Sequence, residues 1–224
     1  MTTPEDALSE EWLARTDASL AFYRSLRDEF EPGKPIWLTE TADAACGGNP
    51  WAPSFLDAFR YLDQLGRLAR QGVQVVAHNT LVASDYGLLE ERDLTPRPKY
   101  WGALLWRRLM GTTVLDPGLP LRAGLHVYAH CLRGRPGGIA LLLLNTDKAA
   151  AQTLTLSTAA ERYTLSSAEH LSRRVDLNGT ELKLGADDAL PRLAGAPLPA
   201  GPLTLAPATI TFVAVPAAEN GSCR

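Results

Sequence analysis

A glutamate closing a short apolar run, with two glycines a few residues on, is the arrangement in this sequence with the most scope for chemistry. It reads Pro35-Ile36-Trp37-Leu38-Thr39-Glu40-Thr41 and then Cys46-Gly47-Gly48-Asn49. In a strand, side chains alternate between faces, so Trp37 and Thr39 point one way and Leu38 and Glu40 the other. With Leu38 filling the interior of a barrel, Glu40 opens at its carboxyl mouth, where an eight-stranded barrel keeps its catalytic residues. A carboxylate there suits cleavage of a glycosidic bond. A strand-end glutamate is otherwise a cap or a solvated loop residue, and the glycine pair taken alone is an ordinary turn.

Further blocks give that context. They are Leu62-Asp63-Gln64-Leu65-Gly66, Ala69 to Val76, Asp85-Tyr86-Gly87-Leu88-Leu89, Pro98-Lys99-Tyr100-Trp101, Leu109 to Leu115 and Val175 to Lys183. With the Glu40 segment, their order and spacing resemble the carboxyl-terminal part of glycoside hydrolase family 79, the heparanase and β-glucuronidase family. The resemblance implies a retaining glycosidase that needs two carboxyl groups about 5 to 5.5 Å apart. It makes Glu40 the nucleophile and places the acid/base partner, an Asn-Glu pair ending the fourth barrel strand, outside this chain. It assigns the carboxylate of a glucuronic acid to the backbone N–H groups of Gly47 and Gly48 and to the Tyr86 hydroxyl. Small residues let main-chain donors approach an anion, and charged acceptors strengthen such bonds. Asn79 stands where the family often has an amide that donates to a sugar hydroxyl. No metal or organic cofactor is implied.

Two residues depart from the family pattern. Thr39 replaces a glycine before the nucleophile, and Cys46 replaces an aromatic residue before the glycine pair. Other candidates read as structural. His78 is a lone strand-end histidine, and Glu90-Glu91 and Asp187-Asp188 read as solvated loop carboxylates. His126 and His130 share a strand face without a metal pattern. Trp51 either stacks on a sugar or packs in the core.

The elements that must hold these residues fall into two grammars. Ala7 to Phe30 reads as an amphipathic helix with Leu13, Leu20, Phe22, Tyr23, Leu26 and Phe30 on its apolar side. Pro35 to Thr39 follows as a strand, about Phe55 to Arg70 as a helix, Val73 to Ala77 as a strand, and about Tyr100 to Leu109 as a helix. This alternation predicts an α/β segment, the last two βα units of a (β/α)8 barrel, over residues 1–111. From about Thr112 the runs become short and β-branched: Leu125 to Ala129, Ile139 to Leu144, Thr153 to Leu156 and Thr209 to Val215. They predict an antiparallel β-sandwich over residues 112–224. The stretch Leu190 to Pro202 is either a long loop or a sheet edge.

At 224 residues the chain is short for a barrel of about 250 residues plus an accessory domain. The resemblance accounts for this with a missing amino-terminal half or subunit, without which the chain is expected to be inactive. A net charge of -3 provides no broad basic field for nucleic acid. No run approaches the roughly 18 apolar residues of a membrane span. The first residues do not read as an export leader, although full-length members of the family are often secreted or lysosomal. Three cysteines, Cys46, Cys131 and Cys223, allow at most one disulfide. The other reading open at this stage is a non-catalytic carbohydrate-binding or structural fragment.

Overall fold

The computed structural model describes residues 2–224. Two helices open it, α1 (Glu10–Leu13) and α2 (Arg15–Phe30), separated at Ala14. Strand β1 (Trp37–Thr41), helix α3 (Phe55–Arg70), strand β2 (Val75–His78) and helix α4 (Pro98–Leu109) follow. β1 and β2 pair in parallel, with Trp37 opposite Val75, Leu38 opposite Val76 and Thr41 opposite His78. Three steps on β1 therefore face two on β2, a bulge between Leu38 and Thr41.

Helix α3 ends where the sequence predicts, and its stripe of Phe55, Phe59 and Leu62 is fully buried. Helix α2 departs from expectation. Leu20 is buried beside Leu68 and Val73, but Phe22, Tyr23 and Phe30 are 60%, 60% and 68% exposed. The amphipathic pattern is present; among the described residues nothing packs against most of it. Trp37, on the free side of the parallel pair, is 59% exposed.

The remainder is antiparallel: β3 (Met110–Leu115), β4 (His126–Leu132), β5 (Ile139–Asn145), β6 (Gln152–Leu156), β7 (Ala160–Ser166), β8 (Asp176–Leu177), β9 (Thr180–Glu181), β10 (Ala196–Leu198), β11 (Gly201–Leu205) and β12 (Thr209–Val215). The main sheet runs β3-β4-β5-β12-β7-β8-β9, with β10 added to β7, while β6 and β11 form a separate ribbon. The proline-rich stretch is partly sheet edge, since Pro197 lies in β10 opposite Glu161.

The main sheet is covered on both faces by different partners. Tyr128, Leu142, Leu144, Ile210 and Phe212 pack with Phe59, Leu62, Trp101 and Leu105 of α3 and α4. Val127, Leu143, Val213 and Val215 pack with Leu203 and Leu205 of the ribbon. Strand alternation divides β4, β5 and β12 between these two clusters. The second layer is thus a two-stranded ribbon, and helices α3 and α4 take the opposite face. Gly66 makes the closest approach possible. A Cβ there would lie 2.4 Å from the Tyr128 ring, so only glycine admits the tyrosine against α3. A disulfide joins Cys131 of β4 to Cys223 near the carboxyl end.

Candidate active site

Leu38 does not point where simple alternation puts it. It packs toward α2 and α3, beside Leu20, Leu68 and Val73. Thr41 also faces α3, its hydroxyl donating to Gln64 Oε1 at 3.2 Å. Two residues three apart can share a face only because the bulge shifts the phase between them. The same shift separates Glu40 from the helix-facing set and leaves its side chain exposed beside the end of β2.

There Asn79 Nδ2 donates to Glu40 Oε1 at 2.8 Å. The main chain ties the same two strand ends, with Asn79 N donating to Thr41 O at 2.8 Å. One carboxylate oxygen is held, and the other has no hydrogen-bond partner among the described residues.

The glycine turn and the Tyr86 loop meet nearby. Cys46, Gly47 and Gly48 have φ of 57°, 100° and 95°, three left-handed residues in a row. A Cβ on Gly48 would lie 2.8 Å from Asp43 Oδ1 and 2.9 Å from Tyr86 Cδ1, so a side chain there is excluded by space as well as by conformation. Asp43 Oδ2 accepts from Asn49 N at 2.9 Å and from Asn49 Nδ2 at 2.8 Å, closing the turn. Asp85 N donates to Gly47 O at 3.0 Å, fastening the Tyr86 loop to it. The structure brings Glu40 and Asn79 together, and Gly47 and Gly48 against Tyr86.

His78 is a neutral fixture. Burial lowers its pKa to about 4, against the opposing effect of its bond to the Tyr86 carbonyl. Its Nε2–H therefore donates to Tyr86 O at 2.9 Å. Trp51 is buried in the core, with its indole N–H on Thr2 O at 3.1 Å. His130 Nδ1 bonds Gly111 O at 2.7 Å, and His126 lies between Asp63 and Glu10. Among the described residues no cluster of side chains fits a metal ion. Cys46 is exposed and unpaired. Asp187 and Asp188 are exposed, but Glu90 corrects its expected solvation by accepting from Arg97 at 2.9 Å and from Arg173 at 2.7 Å.

A stripe of charge on α3 escapes a reading based on apolar periodicity. Asp57, Arg60, Asp63 and Arg67 recur at helical spacing and all are buried. Arg60 Nε donates to Asp57 Oδ1 at 2.5 Å, and Lys99 of α4 is bonded to Asp57. Burial pushes the Asp57 carboxyl up, but Arg60 and Lys99 outweigh it and hold it well below the usual range. The signal was the i, i+3 and i+4 spacing of charges inside an otherwise apolar helix.

No known family profile matches the chain. It is 42% identical to heparanase-like protein 1 of Arabidopsis thaliana over 58% of this chain and 24% of that protein. It is 33% identical to heparanase of Mus musculus over 100% of this chain and 45% of that protein. Inactive heparanase-2 of Homo sapiens is 32% identical over 87% of this chain and 37% of its own length. The chain spans less than half the length of each. The fold is similar to a 4-O-α-L-rhamnosyl-β-D-glucuronidase from Fusarium oxysporum, with a TM-score of 0.70 and 16% identity over 96% of this chain and 50% of that one. It is also similar to a GH51 arabinofuranosidase from Xanthomonas axonopodis pv. citri, with a TM-score of 0.65 and 12% identity over 96% of this chain and 48% of that one.

Proposed function

The chain belongs to the heparanase-like family of glycoside hydrolases, and from that premise we propose that it carries the nucleophile of a retaining β-glucuronidase. Residues 1–111 are read as the last two βα units of a barrel, and residues 112–224 as the accessory β-domain that supports them. The acid/base carboxyl and the remaining strands come from an amino-terminal half, joined covalently or supplied as a subunit. The substrate is a glycan or glycoside with a non-reducing glucuronic acid.

One observation carries this reading. Glu40 stands exposed at a bulged strand end, held through one oxygen by Asn79, the residue just past β2. The free oxygen attacks the anomeric carbon, the bond to the leaving oxygen breaks as the partner's acid protonates it, and water then cleaves the glycosyl ester. Asn79 orients the carboxylate and is placed to donate to a sugar hydroxyl. Gly47, Gly48 and Tyr86 are read as the grip on the uronate, since charge-assisted bonds from backbone and phenol donors favour an anion there.

The unpaired side of β1 supports the missing half. A groove of about 650 Å³ runs along it, lined by Leu20, Tyr23, Ile36 and Leu38, beside the exposed aromatic face of α2. A second reading, a non-catalytic member, is favoured by the similarity to a relative whose name declares it inactive. Labelling by a mechanism-based uronic-acid probe decides between them. The expected adduct is on Glu40 and appears only when the amino-terminal half is present. Absence of labelling in the reassembled protein selects the second reading, and an adduct elsewhere removes Glu40 from its role.

A further inference from the structure

We propose that Lys99 and Arg97 are positioning residues: buried cations that hold successive carbonyls of the loop and so set the direction in which Tyr86 meets a uronate. The proposal rests on the glucuronidase reading above, for the role of Tyr86 alone.

Arg97 Nη1 donates to Ser84 O at 2.7 Å, Asp85 O at 2.7 Å and Gly87 O at 3.2 Å. Lys99 Nζ donates to the carbonyl between them, Tyr86 O, at 3.0 Å. Ser84 through Gly87 therefore turn four carbonyls inward onto two cations. Ala83 and Ser84 have φ of 77° and 60°, conformations that residues with side chains adopt only when their surroundings hold them. The guanidinium is that hold: Nη1 gathers the three carbonyls, sharing its two hydrogens among them, while Nη2 is fixed by Glu90.

Neither cation can touch a sugar. Lys99 is fully buried and Arg97 nearly so. Each is anchored from behind: Arg97 by Glu90, and Lys99 by Asp57. Asp57 leads on along one stripe of α3 to Arg60, to Gln64 at 3.4 Å, and to the Thr41 hydroxyl beside Glu40 at 3.2 Å. A single helix thus ties the strand end bearing the carboxylate to the loop bearing the tyrosine. Their separation is set by α3 rather than by the loop.

The test uses the chain with its amino-terminal half. Lys99→Met is expected to lower the ratio of kcat/KM for an aryl glucuronide to that for the matching aryl glucoside by about tenfold, mainly through KM, the scale of one hydrogen bond to a charged group. Hydrogen exchange of residues 84–87 should quicken while that of Thr209–Val215 stays unchanged. Should Lys99→Met fail to fold with Asp57 left unpaired, the Asp57→Asn/Lys99→Met pair and Arg97→Met carry the same expectations. Equal losses on both substrates, or unaltered exchange in the loop, would overturn the positioning role. A wild-type protein that does not hydrolyse the glucuronide refutes the functional reading instead, which is a separate result.

Discussion

The parallel pair and the antiparallel sheet differ most in what covers them. Every residue of β12 is buried, between α3 and α4 on one face and the β6-β11 ribbon on the other. No residue of β1 or β2 is buried, and Trp37 and Val75 lie open. Parallel strands in α/β proteins are ordinarily covered on both faces, and among the described residues this pair is not. The proposed nucleophile sits on this uncovered pair, and the covered sheet is the packed body behind it.

The sharpest break to this contrast comes from activity. With the amino-terminal half present, Glu40→Gln should lower turnover of an aryl glucuronide by on the order of 10⁴-fold or more, since the covalent route is lost, while leaving the melting temperature nearly unchanged for an exposed side chain. The chain by itself should show no such activity. Turnover surviving the amide in the reassembled protein would move the chemistry away from the parallel pair.

Stability should divide the same way. Phe212→Ala, in the centre of β12, is expected to cost about 3–5 kcal/mol by denaturant unfolding. Phe30→Ala, of equal chemistry on the open face of α2, should cost less than about 0.5 kcal/mol in this chain. Adding the amino-terminal half should raise the Phe30→Ala penalty and leave that of Phe212→Ala as it was. Equal penalties at both positions would erase the distinction.

Replacing Cys131 and Cys223 with serine should cost about 2–4 kcal/mol, measured as the shift in midpoint against the reduced and oxidised wild type. The disulfide ties β4 to the carboxyl-terminal tail, so hydrogen exchange should quicken at the tail and β4 rather than at β1 and β2.

The sequence made α3 legible to the residue, because an apolar stripe and a stop at Gly72 are local signals. Glu40, Gly47, Gly48, Tyr86 and Asn79 are proposed through motif resemblance; the structure pairs Glu40 with Asn79 and sets the glycine turn against Tyr86. The phase of β1 was not legible. A bulge depends on how two strands meet, so simple alternation puts Leu38 on the face opposite the one it occupies. The clamp on the Tyr86 loop was equally hidden, since Lys99 and Asp57 are 42 residues apart and each alone reads as surface charge. The aromatic face of α2 is apolar by its spacing, but periodicity says nothing of whether anything covers it.

The smallest effect expected concerns the joint between the two regions, and its sign follows from His126. This histidine of β4 is buried between Asp63 of α3, at 2.5 Å from Nδ1, and Glu10 of α1, at 2.7 Å from Nε2. Arg67, Asp17 and the Tyr128 hydroxyl complete its charged surroundings. Burial lowers its pKa, but the bond and charge of Asp63 outweigh that and raise it above the ordinary value. A group whose folded pKa is raised adds stability that is fully present below its unfolded pKa, about 6.5, and is lost as pH rises through the folded value. The carboxylates Asp57 and Asp63, whose pKa values are lowered, oppose this only in acid, where their contribution falls away. Thermal unfolding should therefore show lower stability at pH 9 than at pH 6, and His126→Gln should flatten that slope while leaving the acid limb in place. If the slope survives the substitution, the alkaline loss belongs to another group and the joint is not governed by this imidazole.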